Sequence, residues 1–456
     1  MDLVIKNGTI VSGYQEFQAD LGIENGRIAA IGGNIKAGEE LDASGLYVLP
    51  GAVDVHTHLQ MPFGGTVSAD SYEAGTRAAV CGGVTTVFDY AIQRKGKGIV
   101  QTVEERRGLA EPGVCADIAF HCAITDLGNE GELLNEFAGA AAYGVSSFKC
   151  FMVYKKEGMM IDDGMLMRIM EKAGETGILT NVHAENPDAI DARIAGFLAG
   201  GKTSPWHHYL SRPEFVEAEA VKRAIHWAKA LGAKLYIVHL ACKEGVEAVA
   251  KAKAEGHAIF AETCPQYLEF TSDVYKREDG RNFVCSPPMK GPESREALWK
   301  AIKLGVIDTV ATDHCPFMQA EKDWGKDDFT KIPNGCAGIE NLYPYMLSAA
   351  NAGRISFSRA AQLCAETPAK LFGCASKGSI TVGKDADIVL YDRAKDFTIS
   401  VSAMHSDYDQ TIWEGVALKG YPVKTFLRGS LVYDNGKYVG KPGQGRYVKR
   451  SESGCL

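Results

Sequence analysis

Eight short apolar runs, each followed by a helix-like stretch, constrain this chain more than any other feature of it. They lie at 52–58, 84–90, 117–123, 145–151, 178–184, 234–240, 257–263 and 306–313. Such lengths, flanked by turn residues, read as buried β-strands. Between them, helical patterns are clearest at 165–175, 215–231, 245–255 and 295–304. Gly144, Gly177, Gly232, Gly256 and Gly305 each stand just ahead of the next run, where a helix C-terminal cap belongs. Alternating β and α elements give an α/β protein with parallel strands. Eight units over about 300 residues is the count of a (β/α)8 TIM barrel. A doubly wound sheet shares the local pattern, and periodicity alone leaves that alternative open.

The two ends of the chain have another rhythm. Short β patterns flank Asn7-Gly8, Asn25-Gly26 and Asn435-Gly436, and Asn-Gly between apolar runs is the strongest local hairpin signal. Neither end has enough strands to bury a face alone. The expected organisation is a small β-sandwich made from 1–50 and 376–456 around a barrel at 51–375. Composition removes other classes: 46% hydrophobic and 23% charged residues are values of a folded globular chain. A net charge of −8 argues against a nucleic-acid partner. No uncharged apolar run reaches the length of a membrane span. Met1-Asp2-Leu3-Val4 reads as a strand rather than a signal peptide. The twelve cysteines, spread singly from Cys81 to Cys455 without a CxxC pair, point to a reduced, cytoplasmic setting.

Chemistry gathers at the strand ends. The first run closes on His56-Thr57-His58, whose two-residue spacing puts both imidazoles on one face. The fourth holds Lys149 between Phe148 and Cys150; the fifth ends on His183-Ala184-Glu185, the sixth on His239, the eighth on Asp313. Any one of these is ordinary: a strand-end histidine is usually a hydrogen-bonded core residue, and a lone lysine usually snorkels to the surface. Together they fall on the C-terminal rim, where barrel enzymes place their sites. His207, His208, His226, His257, His314 and His405 fit no such pattern and read as structural, while His121 ends the third run without a partner. No Walker loop, dinucleotide GxGxxG or Gly-X-Ser-X-Gly elbow is present, which excludes nucleotide and serine-hydrolase chemistry.

Four histidines and a carboxylate suit two divalent metals, which need a bridging anion between them. A lysine desolvated in an apolar strand has a nucleophilic amine. With CO₂ it forms a carbamate, N6-carboxylysine, able to bridge two cations.

These residues carry a family resemblance. The segments 51–66 around His56 and His58, 147–154 around Lys149, His183-Ala184-Glu185-Asn186, His239, Cys285-Ser286-Pro287-Pro288 and Thr312-Asp313-His314 occur in family order. Over essentially its whole length the chain resembles the hydantoinase/dihydropyrimidinase family of cyclic amidohydrolases, above all the D-hydantoinases. The resemblance implies that His56, His58 and Asp313 bind one metal and His183 and His239 the other, with carboxylated Lys149 bridging. Zinc suits the nitrogen and oxygen donors. It further implies that hydroxide between the metals attacks the ring amide carbonyl, yielding N-carbamoyl amino acids. Asp313 would act as general base and then acid, and Tyr154 as donor to the oxyanion. Main-chain groups near Ser286 and Asn334 would read the imide edge, while Met61, Phe63, Phe151 and Tyr154 line the side-chain pocket. A homotetramer or homodimer is implied, with the basic stretch 446–450 packing on a neighbouring subunit. Dihydroorotases usually carry an arginine after His-X-His; here Leu59-Gln60-Met61-Pro62 follows, so an uncharged ring is expected. Two other readings are an allantoinase and a non-catalytic dihydropyrimidinase-like scaffold. Filled ligand positions argue against the scaffold.

Overall fold

The computed structural model describes residues 1–453; Cys455 lies outside them. Eight parallel strands follow one another in chain order: Ala52–Thr57, Val84–Ile92, Asp117–Ile124, Ser147–Phe151, Leu179–His183, Leu235–Ile237, Ile259–Thr263 and Thr309–Val310. A doubly wound sheet would reverse direction midway; this order does not. The seam between first and last strand is closed by a bridge from Thr57 to His314 and by His58 N–H donating to the His314 carbonyl at 2.8 Å. Buried Asp54 reinforces it, accepting from Thr312 N at 3.1 Å and Thr312 Oγ1 at 2.6 Å. The chain is thus a (β/α)8 barrel.

Local chemistry sets the helices. Asp162 caps the helix Asp163–Thr176 by accepting from Met165 N, and Asn186 caps Pro187–Ala199 by accepting from Ala189 N. The helix Glu214–Leu231 stops at Gly232, whose φ of 65° is the left-handed cap that glycine adopts without a Cβ clash.

The barrel interior is a packed column. Phe88, Tyr236 and His121 surround Phe372 at its base, with ring centroids 5.0–5.5 Å away. His121 stacks on Tyr90 at 4.9 Å, and Tyr90 meets both His56 and His58 at 4.9 Å. The site rests on this column.

Both termini build one mixed nine-stranded sheet. Tyr47–Pro50 pairs antiparallel with Ile388–Thr398, so the join is backbone hydrogen bonding between the two ends. Leu3, Ile5, Ile10, Val48, Ile388 and Phe426 belong to its apolar cluster. Asn25-Gly26 and Asn435-Gly436 are hairpin turns, as the sequence predicts. Asn7-Gly8 is not: it lies within the single strand Leu3–Val11, at a bulge between Ile5 and Gly8. Asn7 takes the positive φ (59°) and ties the bulge to Asp42, 2.9 Å from its Nδ2. A Cβ on Gly8 would stand 2.4 Å from Val48 Cγ2. The same pair that turns a hairpin elsewhere lets a strand kink here against its neighbour.

The basic stretch also departs from expectation, because it packs on the chain's own barrel. Tyr447 bridges Ile118, and buried Arg450 donates to Ser147 Oγ at 2.7 Å and to the Phe120 carbonyl at 2.5 Å.

Candidate metal centre and active site

The strand ends singled out from sequence deliver their side chains to one cavity at the C-terminal mouth. His56, His58, Lys149, His183, His239 and Asp313 line it together with Met61, Phe63, Phe151, Tyr154, Ser286 and Asn334. All twelve residues singled out from sequence therefore meet in one place. The barrel register explains it: in strands of parallel register, Lys149 pairs with Asn181 and Phe151 with His183, so equivalent positions share a level.

Asp313 Oδ1 lies 3.2 Å from His56 Nε2 and 3.0 Å from His58 Nε2. Opposite, His183 Nδ1 and His239 Nε2 are 2.9 Å apart. Rings of His56 and His239 stack at 5.4 Å, linking the two halves. Burial, with Lys149 and neighbouring imidazoles adding repulsion, depresses the basicity of His56 and His239 well below the usual histidine value. Burial also lowers His183, against its bond to Glu185. These three shifts favour the neutral imidazole, the form that ligates metal. Asp313 is the opposite case: burial works against its charge, but His56, His58 and Lys149 prevail and hold it at about 2.

Lys149 is buried, its Nζ 5.1 Å from the Tyr90 ring centroid and 5.5 Å from that of Phe151. Burial pulls it down to about 8, against the attraction of Asp313 and Glu262. A fraction of it is free amine near neutral pH.

Donor chemistry here, imidazole nitrogens beside a carboxylate, fits divalent metal. Donor atoms of His56, His239 and Asp313 lie within reach of one ion, with His58 Nε2 3.0 Å from Asp313 Oδ1 and His183 Nδ1 2.9 Å from His239 Nε2. His239 Nδ1 and His58 Nδ1 are buried with no hydrogen-bond partner among the described residues. The distal nitrogens of two other histidines are held by carboxylates, the arrangement that fixes a ligating tautomer. His56 Nδ1 lies 2.7 Å from Glu262 Oε1, and His183 Nε2 lies 2.8 Å from Glu185 Oε2.

Sequence reading missed these two acids. Glu262, next to last in the seventh strand, gathers three partners: His56, the His239 N–H at 2.9 Å and the Tyr236 hydroxyl at 2.9 Å. Burial pushes it up to about 7. Glu185 is offset by Arg212 at 2.7 Å, which keeps it far below the usual carboxylate range despite burial. His-Ala-Glu was visible in sequence, but the arginine partner was not.

Three residues around the site hold unusual backbone. Tyr154, His239 and Asp313 have φ of 66°, 38° and 51°. Sitting there costs a non-glycine residue about 1–3 kcal/mol, and such strain gathers at functional sites. Tyr154 packs on Phe63 at 5.4 Å, Phe151 at 5.7 Å and His183 at 5.1 Å.

Two histidines that sequence left outside the site are buried and hydrogen-bonded within the barrel. His121 Nε2 donates to the Val55 carbonyl at 3.0 Å, and His314 is held by Asp70 at 2.9 Å. Cys81, Glu340 and His405 also group their donor atoms. However, His405 faces an acceptor from each nitrogen, Glu340 at 2.6 Å and the Gly436 carbonyl at 3.2 Å. Both of its nitrogens are thus already engaged within the chain.

Comparison with known proteins gives the same answer as the geometry. The model of the Amidohydrolase family matches residues 47–432. A D-hydantoinase of Rhizobium radiobacter is 44% identical over 99% of both chains, and one of Geobacillus stearothermophilus is 40% identical over 100% of this chain and 98% of its own. Among solved structures, a dihydropyrimidinase from Brevibacillus agri NCHU1002 superposes with a TM-score of 0.97 at 38% identity, covering both chains fully. With this barrel, this rim of ligands and these relatives, the chain belongs to the amidohydrolase family, in its hydantoinase/dihydropyrimidinase branch of cyclic amidohydrolases.

Proposed function

We propose that the protein hydrolyses the cyclic amide bond of hydantoins and dihydropyrimidines to N-carbamoyl amino acids. The observation that carries this reading is the convergence of His56, His58, Lys149, His183, His239 and Asp313 on one cavity beside Tyr154, Ser286 and Asn334. His56, His58 and Asp313 would hold one divalent cation and His183 and His239 a second, with Lys149, as N6-carboxylysine, between them. Zn2+ matches the donors best. When bound, such a pair supplies Lewis acidity and a water acidified toward neutral pH.

The chain's own groups do the rest. Asp313, ionised and within 3.2 Å of both histidine nitrogens, takes a proton and returns it to the leaving ring nitrogen. Burial keeps the Tyr154 hydroxyl protonated, so it can donate to the developing oxyanion. Met61, Phe63 and Phe151 give the ring substituent an apolar wall. Main-chain groups around Ser286 and Asn334 face the imide edge. An uncharged ring is favoured because the arginine nearest the His-X-His loop is already engaged: Arg106 donates to the carbonyls of Leu59 and Gln60 and pairs with Asp89 at 3.0 Å.

The setting is cytoplasmic, supported by eleven buried cysteines that are all free. No helix among the described residues is long and apolar enough to cross a membrane. The expected assembly is a homotetramer. Supporting it, the helix Pro187–Ala199 buries only Ile190 although it is apolar, and Leu198 and Phe215 stand exposed. Light scattering that returns a monomer ends that part of the reading.

The deciding measurement is hydrolysis by metal-loaded protein of dihydrouracil, hydantoin, 5-phenylhydantoin, allantoin and dihydroorotate. The first three should turn over fastest; fastest turnover of allantoin or dihydroorotate overturns the assignment. Metal analysis should find about two per chain, and none would return the protein to the scaffold reading. With 13C-bicarbonate, a carbamate carbon signal should appear in the parent and be missing in Lys149→Ala.

A further inference from the structure

Lys322 ends the short helix Gln319–Lys322, in a stretch that reads as solvated: Gln319-Ala320-Glu321-Lys322-Asp323. It is nevertheless fully buried. Its Nζ donates to the carbonyls of Val284 at 3.0 Å, Pro333 at 2.8 Å and Gly335 at 2.7 Å. These are all three donors an ammonium has. No carboxylate pairs with it among the described residues; Glu321, its neighbour, is engaged with Met318 N and Thr66. The ammonium's other neighbour is the Phe317 ring, 5.6 Å from Nζ to centroid, and burying a cation with no carboxylate beside it is unfavourable. Joining the two loops does not require it, because Gly335 N–H already donates to the Val284 carbonyl at 2.9 Å.

What the ammonium adds is direction. In a trans peptide the C=O and the following N–H point opposite ways. Holding the Val284 and Pro333 carbonyls therefore turns the N–H groups of Cys285 and Asn334 away from Lys322. Cys285, Ser286, Asn334 and Gly335 all line the cavity. The charge also polarises those amides, strengthening them as donors.

We propose that Lys322 is a positioning residue for the edge that reads the cyclic imide, acting through the peptides that precede Cys285 and Asn334. The inference rests on the cyclic-amide function above. Groups that grip the ring equally in the ground and transition states alter KM and leave kcat alone. Damage to the metal centre would do the reverse.

The test uses the metal-loaded enzyme with hydantoin and dihydrouracil. Lys322→Met should raise KM by about tenfold or more, with kcat within about threefold of the parent. Its metal content should equal the parent's. Lys322→Gln keeps two donors without the charge; it should fold if Lys322→Met does not, and its KM should still rise. KM within about twofold of the parent in a folded variant, or a fall in kcat at unchanged KM, overturns the proposal. A parent that hydrolyses neither ring removes the function and this inference together. A parent that does, with variants unmoved in KM, removes the inference alone.

Discussion

At the scale of single residues, the proposed metal centre would depend on side chains outside its ligand set. Glu262 decides which nitrogen of His56 faces Asp313, because it occupies the other one at 2.7 Å. It also lies within the field of Lys149, whose charge lowers it while burial raises it. Loss of such a partner typically costs about 10–100-fold in metal affinity. Glu262→Gln retains an acceptor for His56 and removes only the charge, so a chelator should strip metal about tenfold faster than from the parent. Glu262→Ala, which also frees the ring, should lose it faster still. Equal stripping rates in all three proteins would show that the acid does not support the centre. His56, His58, Lys149 and Asp313 were legible in sequence because strand ends of one register must meet. Glu262 was not legible: in Ala261-Glu262-Thr263 it is an ordinary strand-end acid until the first and sixth strands bring it His56 and the His239 amide. Lys322 was hidden the other way, by neighbours whose polarity suggests a surface.

At the scale of elements, alternation and glycine caps sufficed to place all eight barrel strands, because a parallel strand is buried on both sides and reads as a plain apolar run. The terminal strands were less legible. Asn7-Gly8 carries the positive φ of a turn but uses it in a bulge, and only the pairing of Leu3–Val11 with Glu16–Glu24 distinguishes the two. The loop after the eighth strand is joined to the segment entering the terminal sheet by Glu340 and His405, 2.6 Å apart. Burial disfavours the His405 cation, yet the Glu340 bond and charge outweigh it and raise its pKa above the usual 6.5. The native state thus holds a proton that the unfolded chain has released. This stabilisation is complete below about pH 6.5 and declines as pH climbs through the raised value. Arg77, donating to the His405 carbonyl at 2.9 Å, opposes the cation without cancelling it. The urea midpoint should therefore fall as pH rises from about 6.5 upward, and His405→Gln should flatten that slope. An equal slope in the variant would place the titration elsewhere.

At the scale of the whole molecule, two devices bind terminal segments to the barrel. Lys377 pairs with Asp117 of the third strand at 2.5 Å and with Asp387 beside the terminal sheet at 2.8 Å. Arg450 closes the barrel floor from below, its guanidinium 5.1 Å from the Phe88 ring centroid. Residue by residue, the Arg450 contacts continue upward: Ser147 Oγ is 2.6 Å from His121 Nδ1, His121 stacks on Tyr90, and Tyr90 meets the two histidines of the first strand. Burial is the dominant influence on Arg450 and brings it down to about 10, a sign that no carboxylate compensates it. Two opposing quantities then decide what its removal does. Replacing a buried cation by an apolar side chain recovers desolvation free energy. Against that, each hydrogen bond from a charged donor is worth about 1.5–3 kcal/mol, and the Phe120 carbonyl would lose the one Arg450 gives it. Ser147 keeps its histidine, so the net loss in Arg450→Met should stay below about 2 kcal/mol, or under about 2 °C in Tm for a chain this long. Metal content should stay at the parent value, because the Ser147 and Tyr90 layers stand between Arg450 and the ligands. A variant that melts with the parent would mean that methionine packs there as well as the arginine it replaces. One that loses metal before it loses Tm would mean that the column transmits strain from the barrel floor to the ligands.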